Sequence, residues 1–179
     1  MKSERQAEVE AGDVPVVRGE SFESFYARQQ RRLVGLAFSV SGSRLGAEDL
    51  AQDALAAAYR DWDRIQRLED PEAWVRRILL NRSVSGYRRR VSELKALGRL
   101  AGRREIGAFA GVPDDADRVW AEVRRLPKRQ IQAVALRYVE DLTLDEIGQV
   151  LGCSKETVNT HLRRARATLG RRLRLEVEE

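Results

Sequence analysis

The stretch TLDEIGQVLGCSKETVNTHLRRAR, residues 143–166, constrains the fold most, because it predicts two short helices joined by a tight turn. Thr143 and Glu146 form a capping box, which satisfies free backbone amides at a helix start. Gly152 stands where a helix ends in a left-handed conformation that glycine adopts without a steric penalty, and Ser154 can cap the second helix. Apolar residues recur at helical spacing: Leu144, Ile147, Val150 and Leu151, then Val158, Leu162, Ala165 and Leu169.

The outer face of the second helix is polar at its start and cationic further on. It carries Lys155, Asn159, Thr160, Arg163, Arg164 and Arg166. This pattern is typical of a helix-turn-helix motif whose second helix reads DNA. The alternative is an amphipathic helix pair with a solvated basic face. The small residue Gly148, the turn at Gly152 and the inward Val158 favour the helix-turn-helix.

The composition predicts an all-α protein. The chain has 179 residues, enough for one medium domain or two small ones, and 42% of them are hydrophobic. Ala, Leu, Arg and Glu dominate and only four prolines occur, which favours helices. The net charge of +5 suits a polyanionic partner. The preference for arginine over lysine also follows from a GC-rich genome, so it carries less weight.

Several kinds of site are excluded or disfavoured by residue counts. The single cysteine, Cys153, excludes an intramolecular disulfide, and together with the single His161 it cannot form an ordinary zinc site. No pattern supports a catalytic pair, so we expect neither an enzyme nor a cofactor. No apolar run approaches the ~18 residues of a membrane span, and the N-terminus lacks an apolar signal-peptide core. We therefore expect a cytoplasmic protein without a membrane span.

The first half of the chain predicts a tail and two helices. Residues 1–19 show no periodicity and are predicted to be disordered. A helical pattern runs from Ser21 to Val40, SGSRLG interrupts it, and a second helix is predicted over Ala47–Ile65. Small residues and Trp62 form its inward stripe, and its outer face carries Glu48, Asp49, Gln52, Asp53 and Arg60. The simplest explanation of Glu48 and Asp49 is a favourable interaction of their charges with the helix dipole, since they lie in the first turn. This explanation suits Asp53 less well, because that residue lies further along the helix. A carboxylate metal site is disfavoured, because no second acidic cluster faces this one.

A third helix is predicted from Asp70-Pro71-Glu72, an N-cap aspartate followed by proline at the first helical position. Val75, Ile78, Leu79 and the stem of Arg82 are expected to pack inward. The accessible side is predicted to carry Trp74, Arg77, Asn81, Arg88, Arg89 and Arg90. Aromatic side chains between arginines suit single-stranded nucleic acid, on which bases stack and arginines follow phosphates. Trp74 as an ordinary core residue is an equally good interpretation.

The periodicity fails from Val91 to Asp117, where glycines and arginines alternate, and this segment is predicted to be a linker. Beyond it, a helix is expected with an apolar stripe of Val119, Trp120, Val123 and Leu126. Pro127 opens a further helix, whose expected stripe is Ile131, Val134, Ala135 and Tyr138. The helix-turn-helix follows, and a polar tail closes the chain.

Four segments together resemble bacterial sigma factors of the sigma-70 family, in particular the extracytoplasmic-function group and its actinobacterial SigE-like members. They are AEDLAQD (47–53), WVRRILLN (74–81), LPKRQ (126–130) and the helix-turn-helix to Arg166. The resemblance covers about Ser21 to Leu173; each motif alone is weak, but four in this order and spacing are highly specific. It implies an all-α fold of two small helical domains, a region 2-like bundle and a region 4-like helix-turn-helix, joined by a flexible linker. The expected boundaries are a tail at 1–19, the first domain at 20–92, the linker at 93–114, the second domain at 115–175 and a tail at 176–179.

The resemblance also implies roles for these surfaces. The outer face of the second helix, Glu48, Asp49, Gln52 and Asp53, would bind core RNA polymerase. The third helix, with Trp74, Arg77, Asn81, Arg88 and Arg89, would melt the −10 element and capture its bases. The last helix, with Lys155, Thr157, Asn159, Thr160, Arg163 and Arg164, would read the −35 element. Promoter DNA and core polymerase are the expected partners, and an anti-sigma factor is common in the group.

Two residues depart from the usual pattern. His161 stands where such factors usually carry arginine, so a phosphate contact there would depend on pH. Gly148 replaces the commoner alanine, which costs helix propensity of up to about 1 kcal/mol and is expected to leave the geometry unchanged.

An alternative sigma factor is the leading functional hypothesis. An autonomous helix-turn-helix regulator is the second, but it needs a dimer, and no sustained heptad pattern supports one. An enzyme acting on nucleic acid is the third, and no metal or acid–base cluster supports it.

Overall fold

The computed structural model describes residues 20–96 and 114–177, with side chains described over 20–83 and 116–173. In these ranges all regular structure is helical, with no strand, which confirms the all-α class. The helices are α1 Phe22–Ser41, α2 Arg44–Arg60, α3 Trp62–Ile65, α4 Pro71–Ala96, α5 Asp114–Arg124, α6 Lys128–Tyr138, α7 Leu144–Leu151 and α8 Lys155–Val177. The predicted N-terminal tail lies entirely outside the described residues, and so does most of the predicted linker. The described part of that linker is helical, because residues 93–96 continue α4 and Asp114 begins α5.

Helices α1, α2 and α4 pack around one apolar core, and local signals set their ends. The Ser21 hydroxyl accepts a hydrogen bond from the Ser24 amide, and Asp70 Oδ1 accepts one from the Ala73 amide at 2.8 Å. Helix α1 ends at Gly42, whose φ of +66° lies in the left-handed region. The inward stripe of α2 is almost entirely alanine, which lets α1 approach closely. Its buried members are Ala47, Ala51, Ala54, Leu55 and Ala58.

Helices α5 to α8 form the second half, and the helix-turn-helix has the predicted local structure. Thr143 and Glu146 form both hydrogen bonds of the capping box, and the bond from Thr143 lowers the pKa of the Glu146 carboxyl. Gly152 ends α7 at φ +67°. The Ser154 hydroxyl accepts from the Thr157 amide at 3.3 Å, as expected of the cap of α8. Ile147, Val150, Leu151, Val158, Leu162 and Ala165 are buried.

Four expectations about the helices are wrong. Val119 does not belong to the buried stripe of α5, since it is 38% exposed. The predicted helix Ala47–Ile65 is broken at Asp61, whose φ of −120° and ψ of 23° are not helical, and the short α3 follows. Tyr138 does not belong to the buried stripe of α6, since it is 60% exposed at the end of that helix. The stem of Arg82 does not pack inward, because the side chain lies at the surface and its guanidinium pairs with Asp53 at 3.3 Å.

The two halves of the chain pack against each other, which the sequence did not predict. Helix α4 contacts α7, and α1 contacts α5 and α6. A buried ion pair joins the halves: Arg76 of α4 lies 2.9 Å from Glu140, which follows α6. The candidate sites on α2, α4 and α8 are therefore held in one body.

Candidate nucleic-acid interface

Helix α8 presents its predicted reading face to solvent. Val158, Leu162 and Ala165 pack inward on α6 and α7, so the residues between them point outward. The outward residues are Lys155, Thr157, Asn159, Arg163, Arg164 and Arg166, all exposed, with Thr160 half-buried. Hydrogen-bonding side chains near the start of a helix and arginines further along provide donors for base edges and for phosphates.

Two of the predicted α8 residues have partners within the domain. Lys155 Nζ donates to Asp145 at 2.9 Å, and this carboxylate raises the pKa of Lys155. Thr160 Oγ1 donates to the Glu156 carbonyl one turn earlier at 2.9 Å. The charge of Lys155 is thus partly neutralised at the surface, and the cationic face rests mainly on the arginines.

His161 is half-buried beside two arginines, and this environment disfavours its charged form. Burial lowers the pKa of His161 below its ordinary value of 6.5, and the positive charges of Arg129 and Arg164 lower it further. This environment therefore favours the neutral imidazole over the imidazolium.

The acidic residues of α2 lie on the face opposite its alanine stripe. Asp49, Gln52 and Asp53 are exposed and Glu48 is half-buried. Arg44 lies 3.6 Å from Glu48, one turn away. Ion pairs this exposed contribute about 0–1 kcal/mol to stability, so internal pairing does not account for the whole acidic face.

Trp74 of α4 agrees in part with both interpretations of the sequence, as a core residue and as an accessible ring for stacking on bases. It is half-buried and packs against the apolar core, and the Arg64 guanidinium lies over its ring, 6.0 Å from the centroid. An exposed cation–π contact of this kind contributes about 0.5–1 kcal/mol. One side of the Trp74 ring thus packs on the core, and the Arg64 guanidinium lies over the ring at the surface.

Arg77 and Asn81 lie where α4 faces the helix-turn-helix. Arg77 Nε donates to the Val150 carbonyl at 2.7 Å, and its Nη2 donates to the Gln149 carbonyl, both in the last turn of α7. Asn81 is exposed and lines a cleft with Arg77, Arg129 and Gly152. The side chains of Arg88 and Arg89, predicted to contact the −10 element, lie outside the described residues.

The structure thus brings the predicted −10 residues Arg77 and Asn81 next to the helix-turn-helix, while the α2 residues lie elsewhere on the first domain. Sequence reasoning missed a cluster of charges at the junction of the halves: Arg28, Arg32, Glu72, Arg76 and Glu140. Only the Glu72–Arg76 pair, one turn apart on α4, carried a sequence signal.

Glu72 is ionised in this cluster. Burial alone would raise its pKa, but hydrogen bonds from Arg28 and from Arg76, the latter 2.7 Å away, outweigh burial and lower the pKa below the ordinary value of 4.5.

The described residues contain no group of His, Cys, Asp or Glu side chains that could hold a metal ion. Among the same residues, no helix is both long and apolar enough to cross a membrane.

Fold and surface together define a two-part, all-helical protein with a DNA-reading helix-turn-helix in its second half. Residues 25–93 match the family model for sigma-70 region 2, and residues 116–169 match the model for sigma-70, region 4. An RNA polymerase sigma-E factor of Streptomyces avermitilis is 30% identical over 159 residues, covering 88% of this chain and 85% of the relative. The extracytoplasmic-function (ECF) sigma factor SigW of Bacillus subtilis is 25% identical over 156 residues, covering 80% of this chain and 83% of that protein.

A solved structure of a sigma factor is also similar to this chain. The sigma factor RpoE of Bartonella quintana, in complex with the anti-sigma factor NepR, matches with a TM-score of 0.69 and 25% identity, covering 86% of this chain and 96% of that one. The chain belongs to the sigma-70 family of RNA polymerase sigma factors, in the ECF group, and acts as an alternative sigma factor in transcription initiation. Members of this family are non-enzymatic initiation factors.

Proposed function

We propose that this chain binds core RNA polymerase through α2, opens the −10 element with α4 and reads the −35 element with α8. The observation that carries the proposal is that one chain matches both region 2 and region 4, in order, and exposes an arginine-bearing face on the helix of the helix-turn-helix. The protein itself carries out no chemistry and acts in the cytoplasm.

Each surface is suited to its proposed partner by charge. The acidic face of α2, Glu48, Asp49, Gln52 and Asp53, suits a basic protein surface on polymerase. On α4, Trp74, Arg77 and Asn81, continued by Arg88 and Arg89, supply an aromatic ring, an amide and cations for unpaired bases and their phosphates. Extruding a base costs a few kcal/mol, which stacking and phosphate contacts must offset.

In α8, the proposed base and phosphate contacts are Lys155, Thr157, Asn159, Thr160, Arg163 and Arg164. Asn and Arg side chains can bind adenine and guanine in a bidentate manner in the major groove. An isolated recognition module buries only about 600–1,000 Å² on DNA. Polymerase supplies the larger assembly that specific binding requires.

An anti-sigma factor is a further proposed partner. The matched RpoE structure was solved as a complex with the anti-sigma factor NepR and aligns with 86% of this chain. This similarity supports a protein inhibitor as a partner of this chain.

Run-off transcription on genomic fragments tests the proposed function directly. We expect purified core polymerase to start transcripts at new, discrete sites only when this protein is added. The upstream regions of those sites should share sequence at two positions. Specific DNA binding by the protein alone, without any polymerase-dependent transcript, would instead identify an autonomous regulator.

A further inference from the structure

We propose that Thr160 of α8 recognises the 5-methyl group of a thymine in the −35 element through the methyl group of its own side chain. The inference rests on the proposed function, because it names the base that the proposed reading helix selects at this position. Two features of the structure support it: the position of Thr160 on α8 and the hydrogen bond of its hydroxyl.

Thr160 lies at the centre of the outward face of α8. With about 100° of turn per residue, a residue two positions from another on an α-helix lies about 160° around the axis from it. Thr160 is two positions from both Val158 and Leu162, which are 0% and 2% exposed. It therefore points directly away from the core, toward the base edges of a groove in which this helix would lie.

The side chains around Thr160 are longer than its own. Glu156 lies one turn before it, and Arg163 and Arg164 lie one turn after it. All three are exposed, whereas Thr160 is half-buried between them. A short side chain in such a recess contacts a group that projects toward it from the DNA. The methyl group of thymine is such a group, since it projects from the base edge into the major groove.

The charges on this face indicate that Thr160 faces bases and not phosphates. Hydrogen bonds from its own backbone amide and from Ser154 lower the pKa of the Glu156 carboxyl below 4.5, so the group is ionised at neutral pH. Phosphates repel a carboxylate and attract arginines such as Arg163 and Arg164. The side of α8 that carries Glu156 and Thr160 is therefore expected to lie over the base edges, away from the backbone of either strand.

The hydroxyl of Thr160 already has a partner within the helix. Thr160 Oγ1 donates to the Glu156 carbonyl, one turn earlier, at 2.9 Å. This bond uses the single hydrogen of the hydroxyl, so Thr160 cannot donate to a purine or to thymine O4 without breaking it. The methyl group is then the part of the side chain that is left for a base. Contact between two methyl groups distinguishes thymine from the other three bases.

Thr157 differs from Thr160 in both features. It lies about 100° around the axis from Val158, at the edge of the outward face. Its Oγ1 lies 3.3 Å from Ser154 Oγ, at the cap of the helix. Thr157 is therefore better suited to the cap or to a phosphate, and the inference is restricted to Thr160.

Replacement of thymine by uracil, which lacks only the 5-methyl group, tests the inference on the full-length chain in complex with core polymerase. Promoter fragments identified by run-off transcription are prepared with each thymine of the −35 element, on either strand, replaced in turn. We expect one replacement to weaken binding of the wild-type complex by about fourfold, as the burial of one methyl-sized group predicts. If no replacement weakens binding, or if the −35 element contains no thymine, the inference is wrong.

Two variants assign the effect to Thr160. Thr160→Ser keeps the hydroxyl and removes the methyl group, so it should bind the thymine promoter about fourfold more weakly than wild type and no longer distinguish thymine from uracil. Thr160→Val keeps a methyl group and removes the hydroxyl, so it should still distinguish them. Discrimination that is kept in Thr160→Ser would overturn the proposal. Loss of binding in Thr160→Val alone would also overturn it, because the hydroxyl would then be the group that contacts a base.

Thr168→Ser is the matched control. Thr168 is a half-buried threonine two turns further along the same helix, outside the proposed DNA contacts. The variant loses the same methyl group and should discriminate thymine from uracil as wild type does. If Thr168→Ser also lost discrimination, the effect of serine would act through the stability of α8, and the assignment to Thr160 would be wrong. Circular dichroism checks that all three variants are folded.

Failure of this inference can be distinguished from failure of the proposed function. If changing every base of the −35 element leaves transcription by the wild-type complex unaffected, the proposed reading role of α8 fails, and the inference fails with it. If transcription depends on the −35 element but uracil has the same effect in wild type and Thr160→Ser, only the role of Thr160 is overturned.

Discussion

Gly148 of α7 lies against the backbone of the turn that follows this helix. A Cβ at this position would lie 2.7 Å from the Cys153 carbonyl oxygen, a backbone atom that cannot rotate away. The expectation that glycine leaves the geometry unchanged is therefore incomplete, because this backbone approach requires the absence of a side chain.

Gly148→Ala should destabilise the protein despite the higher helix propensity of alanine. The gain in propensity is up to about 1 kcal/mol, whereas forcing extra volume into a packed site costs about 1–3 kcal/mol. Gly170→Ala in α8 is the matched control, since nothing lies within 4 Å of its Cβ position, and it should be neutral or stabilising. Urea unfolding of both variants measures the difference, and a stabilised Gly148→Ala would show that the turn can move aside.

His161 should make −35 DNA binding depend on pH. Because the pKa of His161 lies below 6.5 in the free protein, the imidazole is neutral at pH 7.5, and phosphate binding would favour its protonated form. We expect affinity for a −35 duplex to increase as the pH falls from 7.5 toward 6. His161→Gln should flatten this profile; an identical profile in the variant would place the histidine away from phosphate.

The lowered pKa of His161 affects folding stability in the opposite direction: stability decreases as the pH falls, whereas DNA affinity is expected to increase. The unfolded chain takes up the proton at a higher pH than the folded chain does. The contribution of His161 to stability is therefore complete above pH 6.5 and is lost as the pH falls through its folded pKa.

At the scale of the element, α8 is the proposed reading helix, and its outward residues should act on the −35 element alone. Asn159→Ala and Arg163→Ala should each weaken −35-dependent transcription by about tenfold to a hundredfold, the range for one lost bidentate base contact. Arg171→Ala, exposed near the C-terminal end of the same helix, should have a much smaller effect. Competition assays with mutated −35 duplexes measure the specificity. If only −10 mutations changed the response, the groove assignment would be wrong.

Helix α2 is the proposed polymerase contact, and charge reversal there should separate binding from folding. Asp53→Arg should weaken binding to core polymerase while leaving helicity unchanged, because Asp53 is exposed opposite the alanine stripe. It also removes the surface pair with Arg82, which contributes little to stability. Arg82→Ala removes the same pair without changing the acidic face, so it controls for that loss. Unchanged binding of Asp53→Arg, measured by fluorescence anisotropy, would remove this face from the interface.

The elements show what the sequence could predict. The capping box of Thr143, the turn at Gly152 and the aspartate cap of α4 are signals within four residues of the structure they specify, so all three were predicted. The break at Asp61 was missed because the apolar residues on either side of it, Ala58, Trp62 and Ile65, keep the spacing of one continuous helix. The exposure of Tyr138 was missed because periodicity indicates a face and not whether another helix covers it.

At the scale of the molecule, the packing of the two halves could not be predicted. Arg76 and Glu140 are 64 residues apart, and neither differs in sequence context from the many surface charges of the chain. The site residues show the same limit: the polar face of α8 follows from periodicity, but the contact of Arg77 with α7 depends on the interface between the halves.

The packing of the two halves also predicts how the whole chain unfolds on heating, which calorimetry measures. Because the halves share buried polar contacts, the wild-type chain should unfold in a single transition. Glu140→Gln should separate this into two transitions or broaden it, since each domain then loses the stabilisation from the other. Arg125→Ala should keep the wild-type profile. Two separate transitions already present in the wild type would mean that the interface adds little to stability.

The position of Glu140 restricts how the two domains can be recombined. Its carboxylate belongs to the DNA-reading half, whereas both arginines that neutralise it belong to the other half. A chimera that takes one half from this chain and the other from a relative without the matching charges would contain two sound domains and a mismatched interface. Such hybrids should keep the fold of each half but lose the packing between the halves, so we expect the two halves to be inherited as a pair.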